Sequence, residues 1–183
     1  MRVITGSARG MKLKTLEGLD VRPTTDQVKE SIFSMIQFEV EGARVLDLFA
    51  GSGQLGIEAL SRGAHSATFV DASRASVNVV NENLLHTKLQ KNSIVKNEDS
   101  LGFLKMTKDT FDIALLDPPY GKGLIDAALP DLITHMSESG VIICETSKEE
   151  TLPDQVSNFV KRKEHKYGKI KLTVYRPKEE IEE

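Results

Sequence analysis

The chain has 183 residues, 39% of them apolar, and a formal net charge of −3; this is enough for one domain with a sizeable core and ordinary for a soluble one. No apolar run is long enough to span a bilayer, no secretory leader precedes the first strand pattern, and the single cysteine, Cys144, excludes an internal disulfide and fits a reducing cytoplasm. The acidic balance argues against a general nucleic-acid binder, and His65, His86, His135 and His165 are scattered with no metal-ligand spacing, so no metal site is expected.

Residues 1–40 read as an appendage to the rest. The patterns Arg2–Thr5 and Met11–Thr15 flank Gly6–Gly10, which predicts a small β-hairpin. It is basic: before residue 17 the charged residues are Arg2, Arg9, Lys12 and Lys14, with no acid, which makes this segment the better RNA-facing candidate. The stretch Arg22-Pro23-Thr24-Thr25-Asp26-Gln27 then announces a helix, with Thr24 and Gln27 at capping-box spacing and Asp26 in the first turn. Val28, Ile32, Met35 and Ile36 repeat at helical spacing, so this helix packs on the core.

From residue 43, apolar runs alternate with helical patterns. Strands are expected at Arg44–Phe49, Ala67–Val70, Ser93–Val95, Asp112–Leu116 and Val141–Glu145, and helices near 54–62, 73–87, 98–106 and 123–136. This alternation predicts βαβ units and a parallel sheet. The first strand runs into its helix through Asp47-Leu48-Phe49-Ala50-Gly51-Ser52-Gly53-Gln54-Leu55-Gly56, in which Gly51, Gly53 and Gly56 match G-x-G-x-x-G. Asp71 closes the next strand 20 residues after Gly51, where an acid accepts from ribose hydroxyls. The fingerprint allows both NAD and S-adenosylmethionine. Asp47, four residues before Gly51, would repel a pyrophosphate and tolerates a cofactor carrying an ammonium group.

The most informative stretch is Asp117-Pro118-Pro119-Tyr120, straight after the run Ile113-Ala114-Leu115-Leu116. Two prolines stop a strand or a helix, and the residue before each is held extended. The result is a stiff corner at the carboxyl end of a strand, where open α/β sheets place ligands. It offers carbonyl acceptors, a carboxylate and an aromatic face, a combination that suits the exocyclic amino group of a nucleobase. A hydride-transfer site has no need of it. The corner alone leaves guanine and adenine both open.

After residue 150 the texture changes. Gln155–Lys163 reads as a short helix, and Glu164–Tyr167 with Ile170–Arg176 as a closing antiparallel hairpin that turns at Gly168. The basic residues from Lys161 to Lys178 read as a solvated face, and 179–183 as an acidic tail. Cys144 falls in an apolar strand and reads as core.

The order Asp-x-Phe-x-Gly-x-Gly, an acid after the second strand, Asp99, and Asp-Pro-Pro-Tyr resembles the class I S-adenosylmethionine-dependent amino-methyltransferases. The opening Arg-Val-Ile-Thr-Gly-Ser-Ala-Arg-Gly and the stretch Arg-Pro-Thr-Thr-Asp-Gln-Val-Lys-Glu-Ser-Ile-Phe resemble one branch, the RsmD family, which methylates the N2 amino group of a guanine in 16S ribosomal RNA. The resemblance runs end to end. It implies a Rossmann-like α/β fold: a mainly parallel seven-stranded sheet with an antiparallel C-terminal hairpin, a core over 41–178, and an RNA-facing extension over 1–40. It implies S-adenosylmethionine as methyl donor, held by Asp47, by the loop Phe49, Ala50, Gly51, Ser52 and Gly53, by Asp71 and Ala72, and by Asp99 and Ser100. Asp117, Pro118 and Tyr120 would carry the chemistry, and Arg9, Lys12, Arg22, Thr24 and Pro119 would meet the substrate. The implied partner is 16S rRNA within the small ribosomal subunit, with ribosomal proteins as further contacts, for a cytoplasmic monomer. A DNA adenine-N6 methyltransferase and a non-catalytic ribosome-assembly module are the competing readings.

Overall fold

A computed structural model describes residues 1–16 and 25–179. In chain order the elements are α1 (Asp26–Met35), β1 (Arg44–Leu48), α2 (Gln54–Ser61), β2 (Ser66–Asp71), α3 (Arg74–Thr87), β3 (Ser93–Asn97), α4 (Ser100–Met106), β4 (Phe111–Leu116), α5 (Leu124–Ile133), β5 (Met136–Ser147), β6 (Gln155–Val156), β7 (Phe159–Tyr167) and β8 (Ile170–Pro177). The strands form one sheet in the order β3-β2-β1-β4-β5-β8-β7-β6. β3, β2, β1, β4 and β5 pair in parallel, and β8, β7 and β6 complete the sheet antiparallel. The expected α/β architecture is present, with the two-residue β6 as an eighth strand.

Side chains alternate across the central strands and so divide the core in two. Val45, Ile113 and Val141 face one cluster with Ile32, Phe33 and Ile57 from α1 and α2. Leu46, Leu48, Ala114 and Ile142 face the other, with Phe103 and Leu104 of α4 and Ile125, Leu129 and Leu132 of α5. Strands buried on both faces read as continuous apolar runs, which is why β1 and β4 are visible in the sequence. The chain order reverses direction across the sheet between β1 and β4, and a crevice opens there at the strands' carboxyl ends.

The N-terminal segment is fastened to this core rather than standing apart. Val3, Ala8 and Leu13 are buried in the same cluster as α1 and α2. Glu58 of α2, fully buried, accepts from the N–H groups of Ile4 (2.9 Å) and Thr5 (3.0 Å). It also pairs with Lys29 of α1 at 3.4 Å and with Arg62 at 3.0 Å. Burial is the main cause that lowers the Lys29 ammonium pKa, and Glu58 opposes it. Ser7 N–H donates to the Ser61 carbonyl and Ala8 N–H to Ser61 Oγ.

The structure corrects several expectations. The N-terminal hairpin has a single antiparallel bridge, Arg2 to Lys12: Val3 N–H donates to the Met11 carbonyl and Leu13 N–H to the Met1 carbonyl, while the N–H groups of Ile4, Thr5, Ser7 and Ala8 turn to α2. The cap of α1 is Thr25, whose Oγ1 accepts from Val28 N–H at 3.2 Å; Thr24 and Arg22 lie outside the described residues, as does the tail beyond Glu179. Residues 155–163 are not a helix. Ser157 adopts φ +52 and turns the chain, so Val156 pairs with Phe159, and Phe159 is buried beside Tyr175. The helix expected at 123–136 ends at Ile133, because Met136 pairs with Phe111 and starts β5. The hairpin turn at Gly168 is as expected, with Tyr167 opposite Ile170.

Candidate active site

A cleft of about 440 Å³ lies over the carboxyl ends of the parallel strands. It is lined by Phe49 and Gly51 after β1, Asp71 and Ala72 after β2, Asp99 and Ser100 after β3, and Asp117 to Tyr120 after β4. Residues far apart in sequence thus meet because each ends a neighbouring strand. Ligand sites of this size fit a cofactor and part of a substrate.

The loop after β1 is shaped by its glycines and by Asp71. Phe49 adopts φ +68, a conformation costly for a bulky side chain. Gly53 has φ +79 and forms the left-handed cap that opens α2. Gly56 serves packing: a Cβ there would stand 2.4 Å from the Phe69 ring. Beyond Gly51 nothing lies within 4 Å of a Cβ position, so the loop is open on the cleft side. Asp71 Oδ2 accepts from Gly51 N–H at 2.9 Å and Oδ1 from Ser73 N–H at 2.8 Å. A carboxylate has about four acceptor positions: one bond holds the loop, the other closes Asp71's own turn into α3, and the remaining positions suit ribose hydroxyls.

Asp47 stands elsewhere. It is buried beneath the loop, accepts from Gly56 N–H at 2.9 Å, and does not line the cleft. Burial, with a smaller contribution from the charge of Asp71, pushes its carboxyl up to about 8. Ala50, Ser52 and Gly53 likewise shape the loop without lining the cleft. Asp99 caps α4, accepting from Gly102 N–H at 2.9 Å, and lines the cleft as well.

At the proline corner Pro118 is buried, Asp117 and Tyr120 are half-buried, and Pro119 is exposed. The Tyr120 hydroxyl donates to Glu145 Oε1 at 2.7 Å. Glu145, on β5 and lining the same cleft, was not among the residues singled out from sequence. Its signal was an acid closing the apolar run Val141–Cys144 at a parallel strand's end. Gly121 N–H donates to Glu150 Oε1 at 2.9 Å and fixes the far side of the corner. Leu16, Ser73, Ser76 and Leu124 complete the wall. Arg9 and Lys12 are exposed on the N-terminal segment and do not line the cleft.

Comparison with known proteins agrees with this geometry. The Bacillus subtilis protein YlbH, described as a candidate rRNA methyltransferase, is 41% identical over 181 residues, covering 96% of this chain and 98% of its own. Ribosomal RNA small subunit methyltransferase D of Escherichia coli is 33% identical over 96% of this chain and 89% of its own. Its Haemophilus influenzae counterpart is 35% identical over 96% and 93%. The solved structure of the Escherichia coli protein yhhF superposes with a TM-score of 0.87 at 34% identity, covering 97% of this chain and 98% of that one. Residues 1–176 match the family described as conserved hypothetical protein 95, and the chain therefore belongs to that family, the RsmD family of methyltransferases.

Proposed function

We propose that the protein transfers the methyl group of S-adenosylmethionine to the N2 amino group of a guanine in 16S rRNA. The observation that carries this reading is the meeting of the Asp117-Pro118-Pro119-Tyr120 corner with Gly51, Asp71, Asp99 and Ser100 around one cleft. The residues suit the cofactor: Asp71 keeps acceptor positions for the ribose, Asp99 and Ser100 suit the adenine side, and the loop 49–53 is open toward the methionine side. When bound, S-adenosylmethionine supplies the electrophilic methyl group.

The chain's task is the nucleophile. The lone pair of a guanine amino group is delocalised into the ring, so the nitrogen reacts poorly. The Asp117 carboxylate and the Pro118 carbonyl accept its two N–H groups, favour a pyramidal nitrogen, and aim its lone pair. A bond to a charged acceptor contributes about 1.5–3 kcal/mol, and in-line placement supplies most of the rest. Asp117 or water takes the proton released. Tyr120 stacks on the base, worth roughly 1–3 kcal/mol, and a paired guanine must first leave its stack at a cost of a few kcal/mol. The exposed basic residues Arg2, Arg9, Lys12 and Lys14 suit the phosphate backbone around the target.

The test offers labelled S-adenosylmethionine with unmethylated small ribosomal subunits, naked 16S rRNA and duplex DNA. Label in the subunits supports the reading. Label in DNA alone would replace it with the DNA adenine reading.

A further inference from the structure

Asn83 lies on the buried stripe of α3 with Val80 and Leu84, 1% exposed. Its side-chain amide serves two distant segments. Oδ1 accepts from Lys14 N–H at 2.8 Å, and Nδ2 donates to the Lys14 carbonyl at 3.1 Å and to the Ser52 carbonyl at 2.9 Å. Both amide hydrogens and the oxygen are engaged, so neither partner moves without breaking a bond to this buried side chain. Two residues past Lys14, Leu16 joins the wall of the cleft. Ser52 follows Gly51 in the loop held by Asp71.

We propose that Asn83 is a positioning residue that couples the N-terminal arm to the cofactor loop. A ligand that fixes the loop around Ser52 fixes Lys14 and the arm through one amide, and an arm held by RNA fixes the loop in return. Such coupling is reciprocal and of about fivefold or more in typical cases. The proposal rests on the reading of the arm as the RNA-facing segment and of the cleft as the cofactor site. The Lys14–Glu82 ion pair beside it is solvent-exposed and is not part of the coupling.

The test is amide hydrogen exchange of residues 11–16 with and without S-adenosylhomocysteine. In the unaltered protein the ligand slows exchange at the Lys14 amide by about fivefold or more. Asn83→Ala abolishes the response while still binding the ligand, and Glu82→Gln, which leaves all three Asn83 bonds in place, keeps it. An unaltered protein that binds the ligand with no change at Lys14, or an Asn83→Ala variant that responds fully, would overturn the proposal. If Asn83→Ala does not fold, the response of the unaltered protein decides. Neither readout requires methyl transfer, so failure of the guanine assignment is seen separately, in the nature of the methylated product.

Discussion

The Tyr120 hydroxyl donates to Glu145 Oε1 at 2.7 Å, tying the aromatic ring of the proline corner on β4 to the end of its neighbour β5. The ring that would stack on the target base is therefore held from behind. Tyr120→Phe keeps the ring and loses this bond to a carboxylate, so kcat/KM for the small subunit falls by at most about 150-fold, the upper end of roughly 1.5–3 kcal/mol. Tyr120→Ala removes the stacking surface too and costs a further factor of about 5–150, from roughly 1–3 kcal/mol. Steady-state kinetics check this; equal effects of the two substitutions would show that the ring itself does nothing.

Asp117→Asn keeps the shape of the corner and removes its charge. A charged acceptor is worth about 1.5–3 kcal/mol, so kcat falls roughly 10- to 150-fold while binding of S-adenosylhomocysteine stays within about twofold. Single-turnover kinetics and calorimetry separate the two. A variant with full kcat would remove Asp117 from the chemistry.

Gly6 has φ +92, and a Cβ there would lie 1.7 Å from the Ser61 carbonyl oxygen. Gly6→Ala must therefore push the segment off α2 and break the Ser7 and Ala8 bonds to Ser61. Gly10 also has positive φ, but its Cβ would meet nothing within 4 Å. Gly10→Ala then carries only the conformational cost, about 1–2 kcal/mol, and Gly6→Ala costs more. Denaturant melts of the two variants compare them directly; equal losses would contradict the docking.

Glu58 holds Lys29, Arg62 and two backbone N–H groups, and both Lys29 and Glu58 are fully buried. Glu58→Gln leaves the Lys29 ammonium buried without its anion, a change that typically costs about 3–5 kcal/mol. Lys29→Met leaves Glu58 with Arg62 and its two N–H donors and is the milder variant. Thermal denaturation that ranked them the other way would contradict this account of the pair.

Asp47 has its pKa raised by burial to about 8 from an ordinary 3.8. The folded state then binds more protons than the unfolded one between these values, so stability falls as pH rises through the window and levels off above about 8. Asp47→Asn still accepts from Gly56 N–H and removes this titration. Its stability declines less between about pH 4 and 8 than that of the unaltered protein. Chemical denaturation across pH checks the slope; parallel curves would show that Asp47 titrates normally.

The sequence made the parallel half of the fold legible because β1, β4 and β5 are buried on both faces and β-to-helix alternation follows from that. The cleft was legible at Gly51, in the glycine turn after the first strand pattern, and at Asp71 and Asp117, which follow apolar strand patterns directly, whereas Asp99 came from the family resemblance. Residues 155–163 were not, because Val156, Phe159 and Val160 fit a helical face, and only the turn at Ser157 and pairing with β8 decide for strands. Glu145 and Asn83 escaped for a related reason. Each is a polar residue inside an apolar pattern, and its partner lies 25 or more residues away in the chain. Asp47 was visible as an acid before the loop, but its burial under Gly56 depends on how α2 packs.

The central claim is that the corner from Asp117 to Tyr120 methylates the N2 amino group of guanine. Its most direct measurement is nucleoside mass spectrometry of 16S rRNA recovered from unmethylated small subunits after incubation with the protein and labelled S-adenosylmethionine. The account predicts labelled N2-methylguanosine, strongly reduced with Asp117→Asn. Label in N6-methyladenosine, or none in the subunits, would contradict it.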